Sequence, residues 1–485
     1  MILISNIHIV ISLFFLLTIF KFYKEKSDYI LIISLLFFYL FNDIFRFSSQ
    51  SQILSNAIII TKDVLLLLYF IINFNLIKKN LKDLKTIHQL IFCLIFFLLI
   101  NFIFMKQKAL FIVGVYDLLF FPFLIFALSI KNLELSKLFI IFEYLACFVI
   151  FIFFIQFIDK ELYFNFFTNN FDENTFKVLF DEKSYNPILN NYTSKHISLY
   201  SSVFNNPGRF NHFLPILFLI MGYFYIMKTN NRSIIYMFLI LIITVLNSSR
   251  FSLILIFMPI GMIILSAIFS KKHRLKKISF FLLMIFMYLA SFTFFNKLHT
   301  AQVDEKVSNN KLLIVVYHNF YEPIISVFDK ERSKTPSSIV GRLAIIQNHS
   351  YQYFIINNEE ITVKKYLFGH GLGKHSMGTK FFNGKEFYIY ENGLIILFYE
   401  LGLINLLILF FIYLFIAKIY MNKIELLKNK MLNVFFKTII LFPFLLSITG
   451  FQFYRDYAFQ FFYFFLIAMI VNFAEVSKNR KLTHQ

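Results

Sequence analysis

Apolar runs of about 17 residues or more recur almost from one end of the chain to the other, and each can carry an α-helix across the roughly 30 Å of a bilayer's hydrocarbon core. No other feature restricts the fold so strongly. Backbone N–H and C=O groups in hydrocarbon must be satisfied internally, and a helix does this within one segment. The expected fold class is therefore an all-α integral membrane protein, a polytopic helical bundle. Composition agrees: 59% of the 485 residues are hydrophobic and 15% are charged, where soluble domains carry about 25% charge. Mean hydropathy is +0.70. With 72 phenylalanines and no tryptophan, Phe and Tyr must supply the interfacial aromatic belts.

Spans are expected near 2–20, 28–45, 57–77, 89–105, 110–130, 138–158, 213–228, 234–247, 251–270, 278–296, 391–417, 431–449 and 458–474. Short segments and half-helices leave a range of about 12–14 transmembrane helices. The first run lacks a basic n-region and a small-residue cleavage site, so it reads as a retained span. Two hydrophilic stretches, 159–212 and 297–388, interrupt the spans, and the second has room for a small helical subdomain. No linker sets off a soluble domain and no internal repeat is visible, so one membrane domain over 1–485 is expected. Cys93 and Cys147 both lie inside apolar runs, which implies no disulfide framework.

Lys and Arg in short loops set orientation. They gather in the loops after the odd-numbered spans, above all in "KKNLKDLK" (78–85) and "KKHRLKK" (271–277), while the opposite short loops hold Arg46, Lys106, Lys108, Arg250 and Arg455. The odd loops are thus expected in the cytoplasm, with both long loops facing outward. The net charge of +20 is largely accounted for by these anchors, so no nucleic-acid partner is expected.

Charge inside a bilayer is costly and marks function by default. Lys62 and Asp63 lie near the outer end of the third expected span, and Asp117 in the outer half of the fifth. Arg250 opens the ninth, Glu391 opens the eleventh, and Arg455 with Asp456 falls in the last outward turn; Arg209 and Arg342 close and begin outward loop segments. Any one arginine is explained by snorkelling to headgroups. Four on one side suit another use, because the planar guanidinium binds phosphate oxygens bidentately and stays charged. D-x-D, H-E-x-x-H and CxxC patterns are absent, so neither a metal nor a cofactor is expected.

The stretch "YLFGHGLGKHSMG" (366–378) looks built to hold a phosphate. A Walker loop would need glycine five residues before Gly373, where Phe368 stands, and Gly369, Gly371 and Gly373 give G-x-G-x-G, not G-x-G-x-x-G. It is a glycine turn of another kind, and a plain tight turn is one reading of it.

Taken in order, "FNNPGRFNHF" (204–213), "NSSRFSLILIFMPIG" (247–261), "SSIVGRLAII" (337–346), "YLFGHGLG" (366–373) and "YENGLIILFYELGLINLLILF" (390–410) resemble the bacterial O-antigen polymerase (Wzy) and O-antigen ligase superfamily. The likeness covers about 200–415 in motifs and the whole chain in topology, and Arg250 with Gly261 reproduces the R-x10-G spacing of the polymerases. The resemblance implies a C-type glycosyltransferase-like fold in the bacterial inner membrane, with a periplasmic active side. It implies metal-independent transfer from an undecaprenyl-diphosphate-linked donor to another lipid-linked repeat unit, with a chain-length regulator protein as a further partner. Arg250, Arg209 and Arg342 would then bind the pyrophosphate, with Gly369, Gly371 and Gly373 shaping the loop nearby. Ligases carry a His-Asn pair where this chain has Glu391-Asn392. That departure counts against a ligase and leaves Glu391 as the candidate catalytic base, with His370 and His375 as weaker candidates beside Arg455 and Asp117. A ligase, or a non-enzymatic flippase of the same lipid-linked sugar, remain the alternatives.

Overall fold

The computed structural model describes residues 6–22, 27–48, 52–75, 85–104, 108, 134–158, 202, 207–227, 229–247, 252, 255–262, 362–371, 393–425, 430–442 and 457–482. Among these residues the structure is all-helical, with no strand. Helices α1 (Asn6–Phe22), α2 (Ser27–Ser48), α3 (Gln52–Ile72), α4 (Lys85–Phe104), α5 (Leu135–Ile158), α6 (Pro207–Ile226) and α7 (Ser233–Leu246) are followed by the short α8 (Val363–Phe368). Then come α9 (Gly393–Glu425), α10 (Lys430–Ile440) and α11 (Tyr457–Leu482). Among the described residues, three segments are long and apolar enough to cross a membrane: Leu135–Ile158, Arg209–Ile226 and Leu397–Lys418. The spans expected over 110–130 and 278–296 lie outside the described residues, as do most of 159–212 and 297–388.

The chain divides into two compact units, each discontinuous in sequence. One comprises Met1–Ile72 and Asn132–Ser337, the other Asn73–Lys131 and Ser338–Gln485.

In the first unit α1 packs on α2, α2 on α3, and α5 on both α6 and α7. Phenylalanine sets the registers. Phe148 of α5 meets Phe14 at 4.8 Å and Phe41 at 5.2 Å. Phe224 lies 5.3 Å from Phe139, while Phe210 lies 5.9 Å from Phe153; rising numbers on α6 match falling numbers on α5, so the two run antiparallel. The α6–α7 hairpin turns through Asn230–Arg232, whose carbonyls accept the first amides of α7. A buried carboxylate fixes that turn. Glu143 accepts from Arg232 Nη1 at 3.2 Å and from the Tyr236 hydroxyl at 3.4 Å, which supplies the partners that a charge on an apolar helix requires.

Helix α3 begins at Gln52, five residues before the apolar run that marks its expected start. Polar Gln52, Ser55 and Asn56 belong to its first turns, so Lys62 falls at mid-helix and not near the outer end. Its side chain is 1% exposed, donates to both Asp63 carboxylate oxygens at 3.1 and 3.2 Å, and lies 5.7 Å over the Tyr39 ring.

In the second unit α9 packs against α4, α8, α10 and α11. The Tyr413 hydroxyl donates to the Ile440 carbonyl and lies 2.8 Å from the Tyr463 hydroxyl, joining α9, α10 and α11. Outward faces are apolar. Phe92, Phe96, Leu99 and Ile103 make one exposed stripe on α4, and Leu407, Phe410, Phe411 and Leu414 another on α9. Helices of water-soluble proteins turn such stripes inward.

Candidate functional site

The glycine turn is explained by a break in α9. Gly402 interrupts this helix with φ 74° and ψ 173°, an extended positive-φ conformation that is essentially confined to glycine. Helical hydrogen bonds run from N–H(i) to C=O(i−4), so a break at Gly402 strips the preceding carbonyls of their donors. Buried orphan carbonyls are expensive, and the chain replaces the donors one by one. His370 N–H donates to the Tyr399 carbonyl at 2.8 Å, and Gly371 N–H to the Glu400 carbonyl at 3.3 Å. Asn405 Nδ2 donates to the Leu401 carbonyl at 2.9 Å. Asn101 of α4 completes the set, its Nδ2 reaching the Glu400 carbonyl at 3.1 Å and the Phe368 carbonyl at 2.5 Å.

Helix α8 aims the turn. Thr362 caps it by accepting from Lys365 N–H at 3.3 Å, and Gly369 closes it with its amide on the Lys365 carbonyl at 2.8 Å. Tyr366 packs edge-on against Phe398 at 5.2 Å, and Phe368 stacks with Phe97 at 6.1 Å. Backbone then meets backbone. A Cβ at Gly369 would stand 2.2 Å from the Glu400 oxygen, and one at Gly402 would stand 2.3 Å from the Gly369 nitrogen. Two glycines let the turn and the broken helix touch. The His370 ring lies flat on Tyr399, centroids 3.9 Å apart and planes 7° apart.

Of the residues singled out in the sequence, Gly369, His370 and Gly371 thus form one knot in the second unit. Arg209 lies in the first, half-buried in the opening turn of α6. Arg250, Arg342, Gly373, His375, Glu391, Arg455 and Asp117 lie outside the described residues. Gly261, the second half of the R-x10-G spacing, has nothing within 4 Å of the position its Cβ would take.

Around Arg209 the structure assembles polar groups that the sequence does not single out. Asn247, which caps α7 with its amide on the Ile243 carbonyl at 2.8 Å, donates through Nδ2 to Asn211 Oδ1 at 2.5 Å. The Ser252 hydroxyl donates to the Asn211 carbonyl. Asn247 and Ser252 are buried, and they are the described residues on either side of 248–251. Ser202, at φ 47°, is also buried; its amide donates to Gln156 Oε1 at 2.9 Å and its hydroxyl to the Val149 carbonyl at 2.8 Å. Val149 lies more than two turns before α5 ends, so Ser202 sits alongside the second half of α5. These residues share one signal, a neutral polar side chain in or beside an apolar run, which the search for charge in hydrocarbon passes over. Among the described residues no group of three His, Cys, Asp or Glu side chains is placed to hold a metal. No protein-family profile matches the chain, and no curated protein matches it significantly.

Proposed function

We propose that the chain is a multi-pass protein of the bacterial inner membrane that polymerises a surface polysaccharide, joining undecaprenyl-diphosphate-linked repeat units at the periplasmic face as O-antigen polymerases do. An acceptor hydroxyl attacks the anomeric carbon of the donor with inversion. The bond to the pyrophosphate breaks, undecaprenyl diphosphate leaves, and the hydroxyl proton passes to a base, here Glu391. Arg250 and Arg209 neutralise charge growing on the leaving group, with Arg342 as a third contributor. Preorganised stabilisation of this kind is commonly the largest catalytic contribution. The departing diphosphate is already activated, so no nucleotide is consumed.

The reading draws on the ordered motifs, on three helices among the described residues that are long and apolar enough to cross a membrane, and on exposed apolar stripes. The observation that carries it is local. The first turn of α6, which bears Arg209, is hydrogen-bonded through Asn211 to both described flanks of the stretch that contains Arg250. Asn247 and Ser252, one on each side of that stretch, are thereby tied to the start of the helix that bears Arg209.

The test replaces the protein in its own cells with Arg250→Lys and Glu391→Gln, checking membrane abundance and running polysaccharide ladders. Lys keeps the charge but loses the bidentate fork, and Gln keeps the shape but cannot accept the proton. Both variants should insert normally and leave mostly single-repeat product. A full ladder from both would overturn the assignment.

A further inference from the structure

A column of polar groups runs between α5 and α7 in the first unit. On α5, Glu143, Cys147 and Phe151 stand one helical turn apart and share a face. On α7, the N-cap Arg232, then Ile235 and Phe238, follow one another at three-residue steps. Arg232 Nη1 donates to Glu143 Oε1 at 3.2 Å, and the Tyr236 hydroxyl donates to the same oxygen at 3.4 Å. Cys147 Sγ lies 3.0 Å from that hydroxyl. The column is open on its outer side. Cys147 is exposed, and Phe151, Ile235 and Phe238 are each more than half exposed.

Polar side chains of membrane-spanning helices normally face the bundle interior, so a column left open to lipid calls for an occupant. Its charges are unevenly placed. The Glu143 side chain is 10% exposed and that of Arg232 66%, so the carboxylate lies beneath the guanidinium and the outward field is that of a cation. Among the described residues, Glu143 takes one of the five guanidinium donors, and such a fork binds phosphate oxygens well. Arg232 also stands at the Asn230–Arg232 turn, where the hairpin leaves its apolar helices and the phosphates of a bilayer are expected. We infer that α5 and α7 form a seat for one anionic phospholipid, its phosphate on Arg232 and an acyl chain laid along Ile235, Phe238 and Phe151. Glu143 orients the guanidinium. A soluble anion would gain the guanidinium and none of the apolar wall, and a zwitterionic headgroup would bring its own cation against Arg232. Cys147 lies one turn, about 6 Å, beyond Glu143, so the upper part of the seated chain passes over its thiol. Arg209 is at the other end of α6, and the seat does not depend on the reaction proposed above.

The experiment uses full-length protein in which Cys93→Ser leaves Cys147 as the remaining thiol. Purified in detergent, it is treated with N-ethylmaleimide alone, or with phosphatidylglycerol, phosphatidylcholine or inorganic phosphate added. Mass spectrometry times the alkylation of Cys147. Phosphatidylglycerol should slow it saturably, about tenfold once the lipid stands ten times above its half-protecting concentration. Phosphatidylcholine and inorganic phosphate should leave the rate near that of lipid-free protein. Arg232→Gln should lose the phosphatidylglycerol effect, each variant being compared with its own lipid-free rate. Arg232→Lys keeps the charge and loses the fork, so half-protection should move to higher lipid. Equal protection by phosphatidylcholine would overturn the anionic class, and protection by inorganic phosphate would overturn the lipid. Alkylation unchanged by phosphatidylglycerol, or full protection in Arg232→Gln, would overturn the seat itself. The comparison of additives on the Cys93→Ser protein decides the inference even where Arg232→Gln fails to insert.

Discussion

Gly369 and Gly402 show how much one missing Cβ can decide. Both have positive φ with ψ near 170°, and a Cβ on either would run into backbone across the knot. Gly369→Ala combines a conformation costing about 1–3 kcal/mol for a non-glycine residue with a contact of 2.2 Å against the Glu400 oxygen. It should sharply reduce folded protein in membranes. Gly261→Ala should not, because its Cβ site is open and alanine is favoured over glycine in a helix by about 0.5–1 kcal/mol. Comparing membrane abundance and melting temperature of the two variants checks this, and equal losses would contradict it. The sequence marks Gly369 and Gly371 as a turn and excludes both nucleotide templates. What it cannot show is the mate of that turn, since Tyr399 and Glu400 lie some thirty residues further on and the donors meet them only after α9 has broken.

At the scale of elements, α9 reads in the sequence as one apolar span, and it is found as a helix broken at Gly402. Propensity gives no warning, because "YELGLIN" lacks proline and a single glycine is tolerated in a helix. The repair is shared among α4, α8 and α9, and Asn101 contributes two of its hydrogen bonds. Asn101→Ala leaves two buried carbonyls short of a donor, an effect of about 1–3 kcal/mol. Asn101→Asp should be worse, because a carboxylate beside two carbonyl oxygens repels where the amide donated. Melting temperatures should therefore fall in the order wild type, Ala, Asp. If the Asp variant melted above Ala, the donor role would be contradicted. The start of α3 is a smaller lesson of the same kind. Hydropathy trims polar residues from a helix end, and that trimming places Lys62 at the margin of its expected span when it belongs at mid-helix.

For the whole molecule, the helical class follows from the apolar runs alone, since backbone in hydrocarbon has few solutions. The division into two interleaved units is not legible in the sequence, because no linker or composition change marks where Ile72 passes to Asn73 or Lys131 to Asn132. Orientation rests on the basic loops. Reporter fusions at Lys183 and Lys330 are expected to report the outside, and fusions at Lys82 and Lys276 the cytoplasm. A cytoplasmic signal from either long loop would put the arginines on the wrong side for the proposed donor.

The reaction itself is the central claim, and reconstitution tests it most directly. Purified full-length protein in liposomes would be given lipid-linked repeat units extracted from cells that lack it, without metal ions or nucleotide. The proposed chemistry predicts longer chains on undecaprenyl diphosphate, with one free undecaprenyl diphosphate released for each linkage formed. Repeat units that cross the bilayer, or remain where they are, without being joined would contradict it.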